Sequence, residues 1–415
     1  MTSMQVTQQK SFKPRGVAVP RRYTLFWVGD AVAHTGFSKV THSVLDALQK
    51  STQWDSHVLG VNYLGDPHHY KYNVYPASIG GDIYGVNRMP GLLRHIKPDL
   101  ICILNDPWVV QSYIASIKEY NKERADNPAK LVVYTPIDGL NIGAGFIGAL
   151  NEADLVIAYT MFGLQELLKG GLSVPSAIIP HGFDSKHFHP LPKAQARAKT
   201  NIPLDWFVVG CTNRNQPRKR IDLSLKYFAE WAKDKPANVK FYFHGALHDM
   251  GWDIIQLAKY YDVDQRLIIT NPGLSAAVGV PVEFMKYIYG TFDVQVSTTE
   301  GEGWGLTTME GMACRIPQIV PEWSALGEWA RGGVVLVPCT GDAAHTGGIN
   351  TIGGIVDKDM FIYALENLYT DAVKREEIAA AGYKLVHSKQ YTWESVAEQF
   401  SDCFKRVLND NSNHK

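Results

Sequence analysis

The residues best equipped for chemistry lie at 297–320, STTEGEGWGLTTMEGMACRIPQIV. An apolar strand ends near Ser297, glycines follow at 301, 303 and 305, and a helix opens near Thr307. Glycines at such a turn let backbone N–H groups approach a ligand closely. The helix N-terminus adds positive dipole, so the place suits a phosphate. Glu302 in the loop and Glu310 on the helix are eight residues apart. Carboxylates beside a phosphate pocket make sense as acceptors for sugar hydroxyls, one for a ribose and one for a hexose. Singly, each would be an ordinary solvated glutamate; the strand–loop–helix setting sets them apart. A second concentration is 210–223, GCTNRNQPRKRIDL, where Arg214, Arg218, Lys219 and Arg220 crowd a loop between a strand and a helix. Arg and Lys are the phosphate-binding side chains.

The first stretch resembles the donor-site motif of the GT-B glycosyltransferases of family 4 (glycosyl transferases group 1), EGFGLxxxEAMACGxPVV. It stands here as Glu302, Gly303, Trp304, Gly305, Leu306, then Glu310, Met312, Ala313 and Cys314, with Arg315 where the family has Gly. The resemblance implies that Glu302 faces the transferred sugar, that the loop amides meet the pyrophosphate, and that Glu310 takes the ribose hydroxyls. The second stretch is similar to the family's GRxxPxKG motif, with Arg214 and Lys219 at its spacing of five. It implies that those two hold the diphosphate and offset the leaving group's charge. Arg218 and Arg220 are extra, readable as surface charges or acceptor contacts, and Arg220 replaces a Gly.

Three further segments carry weaker signals. IIPHGFDSKHFHPL, 178–191, is similar to the family's IPNGVDxxxFxP segment and puts His181 at a strand end near the cleft; a lone His is more often structural than catalytic. In the turn GDAVAHTGFSKV, 29–40, Gly36 matches the family glycine that approaches the donor phosphate. His34 and Lys39 are candidate acceptor or phosphate contacts there. VVYTPIDGLN, 132–141, ends where the family often has a His-Asp pair; here Ile137 and Asp138 stand. Asp138 is the candidate, either as a hydrogen-bond partner of the sugar or as an acceptor-activating base. The plain alternative is a turn Asp before Gly139.

The elements that must position these residues alternate. Short apolar runs such as YTLFWVG, SHVLGVNY, DLICILND, KLVVYTP and ADLVIAYT read as strands, with helices between them. A second series starts at Trp206 with DWFVVGCT, VKFYFHG, RLIIT and FDVQVST. Alternation of this kind indicates βαβ units and parallel sheets covered on both faces. The expected fold is α/β: GT-B, two Rossmann-like doubly wound domains facing across a cleft, where small molecules commonly bind. The expected boundaries are a basic flexible tail at 1–22, an N-terminal acceptor domain at 23–192 completed by a last helix within 388–415, and a C-terminal donor domain at 200–387. The polar, proline-containing stretch 181–203 reads as the linker.

Composition narrows the classes. The chain has 415 residues, 45% hydrophobic and 20% charged, with 41 basic and 41 acidic residues. That is the balance of a globular protein, with no net field to recruit DNA or an anionic membrane. Five scattered cysteines fit neither a disulfide framework nor a metal site, and a reducing cytoplasm is the simplest compartment. No run approaches the ~20 apolar residues of a membrane span.

The resemblance implies transfer of a sugar from a nucleotide diphosphate sugar to an acceptor hydroxyl, with retention. No cofactor or metal is expected. The acceptor is a saccharide or glycan, or, given the basic tail, a hydroxymethylated base in viral DNA. The aromatic and His-rich run 63–75, YLGDPHHYKYNVY, either forms an acceptor loop or packs. Two other classes are a GT-B phosphorylase or hydrolase, marked by dependence on inorganic phosphate, and a non-catalytic sugar-nucleotide-binding protein.

Overall fold

A computed structural model describes residues 21–275, 278–345 and 348–410. The basic tail expected at the N-terminus lies outside the described residues apart from Arg21 and Arg22. Two parallel sheets are present, as the alternation predicts. The first contains β1 (Tyr23–Asp30), β2 (Trp54–Val61), β3 (Asn73–Pro76), β4 (Leu100–Leu104), β5 (Lys130–Thr135), β6 (Leu155–Ala158) and β7 (Ser176–Ile178), in the order β3-β2-β1-β4-β5-β6-β7. Helices α1 (Gly36–Leu48), α2 (Met89–Ile96), α3 (Pro107–Glu123), α4 (Ala144–Leu150) and α5 (Met161–Lys169) make the crossovers. Central β1 is apolar on both faces: Leu25 and Trp27 enter one core, Phe26 and Val28 the other. This is why its sequence is a continuous apolar run instead of an alternating one.

The chain then enters α6 (Lys193–Thr200). The segment expected to be a plain linker therefore holds a helix. Its anchor is Arg197, 1% exposed, whose guanidinium donates to the carbonyls of Pro203, Leu204, Trp206 and Thr291 and pairs with Asp293 at 2.7 Å. An arginine with that many acceptors is stable when buried, and its charge misleads a reading based on polarity.

The second sheet follows: β8 (Phe207–Thr212), α7 (Ile221–Ala232), β9 (Val239–His244), α8 (Ile254–Tyr260), β10 (Leu267–Ile269), α9 (Val282–Thr291), β11 (Val294–Val296), α10 (Leu306–Ala313), β12 (Gln318–Pro321), α11 (Ser324–Trp329) and β13 (Val335–Val337). Its strand order is β10-β9-β8-β11-β12-β13. An antiparallel hairpin, β14 (Cys339–Ala344) and β15 (Ile352–Val356), comes next, then α12 (Lys358–Thr370), α13 (Ala372–Val386) and α14 (Trp393–Asn409). α14 returns to the first domain, where Glu394 pairs with Lys50 and Trp54 donates to Ser401.

The carboxyl ends of the two sheets meet. A side chain on Gly301 would strike the Asp138 backbone carbonyl, and one on Gly303 would strike Pro136. Ile352 of the hairpin exchanges two 2.9 Å backbone hydrogen bonds with Leu140 of the first domain. No helix among the described residues is long and apolar enough to cross a membrane.

Candidate active site

The loop after β11 is held in place by its own backbone and side chains. Gly305 has φ 94°, the left-handed backbone that lets the chain turn into α10. The Glu302 N–H donates to the Ser324 hydroxyl at 2.9 Å, and that hydroxyl donates back to the Glu302 carbonyl at 3.1 Å. Trp304 is buried and stacks on Trp329 with centroids 4.8 Å apart, and Trp329 donates to the Trp304 carbonyl. Trp304 thus underpins the loop from a buried position.

Glu302 is at the centre of the charge cluster. Lys219 donates to one of its carboxylate oxygens, and Arg218 lies 3.4 Å from the other. Arg218 also donates to the Gly301 carbonyl at 2.8 Å and reaches Asp138 across the cleft at 3.5 Å. Burial pushes the Glu302 carboxyl up, but Lys219 and Arg218 outweigh it and hold it below the ordinary value. Burial and the neighbouring Arg218 lower the Lys219 ammonium to about 8 against the pull of Glu302. A buried ion pair is a poor source of stability, and perturbed groups in a cleft are the usual mark of a working site.

Glu310 holds a second cross-cleft contact. Lys39, from α1 of the first domain, pairs with one oxygen, and the Tyr289 hydroxyl donates to the other at 2.7 Å. Arg214 is the more peripheral basic residue: it is exposed and pairs in two-pronged fashion with Asp249 at 3.1 and 3.2 Å. Arg220 is the N-cap of α7 at φ 48° and is tied to Asp222 and Glu300. Arg315 has φ 60° and pairs with Glu376. Both arginines therefore occupy left-handed positions, where a glycine is most at ease.

On the first domain, Gly36 opens α1 and lies against Leu306. His34 is exposed and packs beside Gly279. The turn before it is strained, because Val32 adopts φ 55°, rare for a β-branched residue. His42 holds it there, its Nε2 accepting the Val32 N–H at 2.9 Å. Burial lowers His42 to about 3, which keeps that nitrogen an acceptor. Tyr70 stacks on His42 at 3.4 Å and Tyr72 shares a 2.6 Å hydrogen bond with its Nδ1. So the tyrosines at 70 and 72 pack, while His68 and His69 stay exposed.

His181 packs against the Glu302 loop, its ring 5.5 Å from that of Trp304. It is 3% exposed, shares a 2.7 Å hydrogen bond with the Tyr134 hydroxyl, and is lowered to about 3 by burial. Sequence reasoning missed Asp106, which sits at the carboxyl end of β4 and is raised to about 7, chiefly by burial and next by Asp138. An Asp directly after an apolar strand was the available signal. Among the described residues, no three His, Cys, Asp or Glu side chains converge as a metal-binding group.

No protein-family model matches the chain. A curated relative, the D-inositol 3-phosphate glycosyltransferase of Geodermatophilus obscurus, is 25% identical over 258 residues, 60% of this chain and 51% of the relative. The chain thus spans about half the length of the curated relatives it matches. Among solved structures, sucrose-phosphate synthase from Thermosynechococcus elongatus superposes with TM-score 0.72 at 17% identity, covering 93% of this chain and 99% of that one. The chain has the GT-B fold. Within that GT-B likeness stands also Anabaena HepE in complex with UDP and glucose, at TM-score 0.69 and 15% identity, covering 93% of this chain and all of that one. In this GT-B frame the Glu302 loop and the 214–220 loop lie on the second domain, and Asp138 and Lys39 face them from the first.

Proposed function

We propose that the protein is a glycosyltransferase that moves a sugar from a nucleotide diphosphate sugar to an acceptor hydroxyl, with retention and without a metal. The observation that carries this is the Lys219–Glu302–Arg218 cluster, joined through Arg218 to Asp138 across the cleft. Breaking the bond from the anomeric carbon leaves negative charge on the diphosphate, and Lys219 and Arg218 are placed to meet it. Arg214, exposed at the rim, adds a further cation once it leaves Asp249. Glu302, released from Lys219, accepts hydrogen bonds from the sugar, and Glu310 accepts them from the ribose. Asp138 stands on the first-domain side as a hydrogen-bond partner of the sugar or as the base that activates the acceptor hydroxyl. The glycosyltransferase names of the curated relatives and the complex of HepE with UDP and glucose support the reading.

The test is a thermal-shift panel with UDP-, GDP-, ADP- and dTDP-sugars on wild type and Lys219→Ala. Saturating ligand should add a few kcal/mol (about 2.7 at a hundredfold excess over Kd). A shift with one nucleotide that disappears in the variant supports the donor site. Product NMR then reads the anomer, and activity undiminished by EDTA supports metal independence. No shift with any nucleotide would remove the reading.

A further inference from the structure

The turn joining β1 to α1 is strained, and a network of side chains holds it. Val32 stands at φ 55°, a conformation that a β-branched residue adopts rarely. Such strain persists only where the surroundings over-determine it, and it gathers where a backbone must be preset for function. Three bonds supply the determination. The Thr35 hydroxyl donates to Asp30 at 2.6 Å, the Ala33 N–H donates to the Ser38 hydroxyl at 3.2 Å, and the Val32 N–H donates to His42 Nε2 at 2.9 Å. The same stretch meets the second domain. A side chain on Gly36 would touch Leu306 at the start of α10, His34 packs beside Gly279, and Lys39 pairs with Glu310.

His42 is the support whose bonding depends on where a proton sits. A neutral imidazole carries one N–H. Because Nε2 accepts from Val32, the proton is on Nδ1, and Nδ1–H donates to the Tyr72 hydroxyl at 2.6 Å. Burial, which lowers His42 to about 3, keeps the ring neutral. Tyr70 lies flat on it, with centroids 3.4 Å apart and planes 1° apart. His42 and Tyr72 are both buried, so the pair settles its tautomer internally. Without the Tyr72 hydroxyl, Nδ1–H would be a buried donor with no acceptor, which is costly. Relief comes from turning the ring or from moving the proton to Nε2, and either one breaks the Val32 bond.

We propose that His42 and Tyr72 are a positioning pair for sugar transfer: Tyr72 secures the tautomer and orientation of His42, and His42 holds the Val32 turn in the shape that presents Gly36 to Leu306 and the Glu302 loop. This rests on the transferase reading above. The tyrosines of the run 63–75 thereby act on the reaction through His42, without contact with substrate.

The experiment uses the full chain. Nucleotide release from UDP-glucose, GDP-mannose, ADP-glucose and dTDP-glucose gives kcat, titration with the free nucleotide gives Kd, and side-chain 15N NMR reads the His42 tautomer. Wild type should show Nε2 unprotonated, and Tyr72→Phe should show the proton shared between the two ring nitrogens. Tyr72→Phe should lower kcat by about fivefold or more and His42→Leu by about tenfold or more, with nucleotide Kd changed by less than about twofold. His42→Gln places an amide oxygen where Nε2 stood and needs no tautomer, so it should keep kcat within about threefold of wild type. In the His42→Gln background, Tyr72→Phe should cost less than about twofold. A protonated Nε2 in wild type, kcat untouched by both Tyr72→Phe and His42→Leu, or an equal loss from Tyr72→Phe in both backgrounds overturns the proposal while leaving the donor site standing. Release of nucleotide from none of the four sugars by wild type overturns the transferase reading and this one with it.

Discussion

On the second-domain side of the cleft, each glutamate is matched: Glu302 holds Lys219 and Arg218, and Glu310 holds Lys39 and Tyr289. On the first-domain side, Asp106 and the Tyr159 hydroxyl have no hydrogen-bond partner among the described residues. One side keeps its cations occupied with its own carboxylates until a polyanion displaces them. The other side offers Asp138, which Arg218 reaches at 3.5 Å, and Asp106, which caps α3 without a side-chain hydrogen bond. The difference also marks where the mutational effects should be largest, since the second-domain side holds the most deeply buried pair, Lys219 with Glu302.

The largest effect is expected for Lys219→Ala. It removes the cation closest to the leaving group and leaves Glu302 buried against Arg218 alone. Transfer should fall by about a hundred- to a thousandfold in kcat/KM. Cutting a buried pair also costs about 3–5 kcal/mol of stability. The double variant Lys219→Ala/Glu302→Gln should recover part of that stability and none of the activity. Activity within about tenfold of wild type would remove Lys219 from the site.

The same residue sets a pH limit. Lys219 titrates at about 8 in the donor-free protein, and a bound diphosphate, by favouring the ammonium, raises that value. Donor affinity should be level below about pH 8 and fall as pH rises beyond it, by up to about tenfold per unit. For stability the sign is opposite. Between about 8 and the ordinary 10.5 the unfolded chain binds more protons than the folded one, so this group's contribution rises with pH there. Isothermal titration across pH 7–10 reads the first and chemical denaturation the second. A donor affinity that does not change with pH would show that Lys219 is charged throughout.

Glu310→Gln should act on nucleotide binding more than on the chemical step, raising donor Kd by about tenfold. It takes an ion-pair acceptor from Lys39 while leaving Tyr289 a possible partner. Arg214→Ala should cost less, about threefold, because its guanidinium is exposed and already satisfied by Asp249. An Arg214 effect larger than that of Glu310 would mean that Arg214 leaves Asp249 and contacts the donor directly.

Much of this was legible in the sequence because local chemistry and global position coincide. The apolar runs of β1, β4 and β5 announce a doubly covered parallel sheet, and the Gly301–Gly305 loop announces a strand–helix junction at its end. Other parts were illegible for physical reasons. Arg220 and Arg315 stand at left-handed positions that sequence reading assigns to glycine, and they are held there by Asp222, Glu300 and Glu376, distant in sequence or hidden in orientation. α6 was obscured by an arginine whose partners are mostly backbone carbonyls. The β14–β15 hairpin has too few large apolar residues to signal a strand pair, and its contact with Leu140 exists only once both domains are folded. Arg218 was readable as a surface charge or an acceptor contact because nothing local shows that Glu302 and Asp138 converge on it.

The smallest effect concerns the contacts that hold the two sides together away from the chemistry. Glu328 on α11 accepts the backbone N–H groups of Met161 and Phe162 at 2.9 and 2.6 Å, at the first turn of α5 in the other domain. These are donors that a helix start leaves without intrahelical partners. A carboxylate there is further favoured by the helix dipole. Glu328 is exposed, so water replaces it readily, and Glu328→Ala should cost about 1 kcal/mol of closure and little of the fold. Because Glu328 touches neither Glu302 nor Glu310, its loss should leave nucleotide binding nearly unchanged. Incomplete closure admits water to the donor, so the ratio of donor hydrolysis to transfer should rise by about three- to fivefold. Small-angle scattering of the donor-bound protein should show a larger radius of gyration in Glu328→Ala, with Glu328→Gln intermediate because its amide oxygen still accepts one N–H. An unchanged ratio and an unchanged radius would show that the cross-cleft pairs of Lys39 and Arg218 suffice to hold the domains closed.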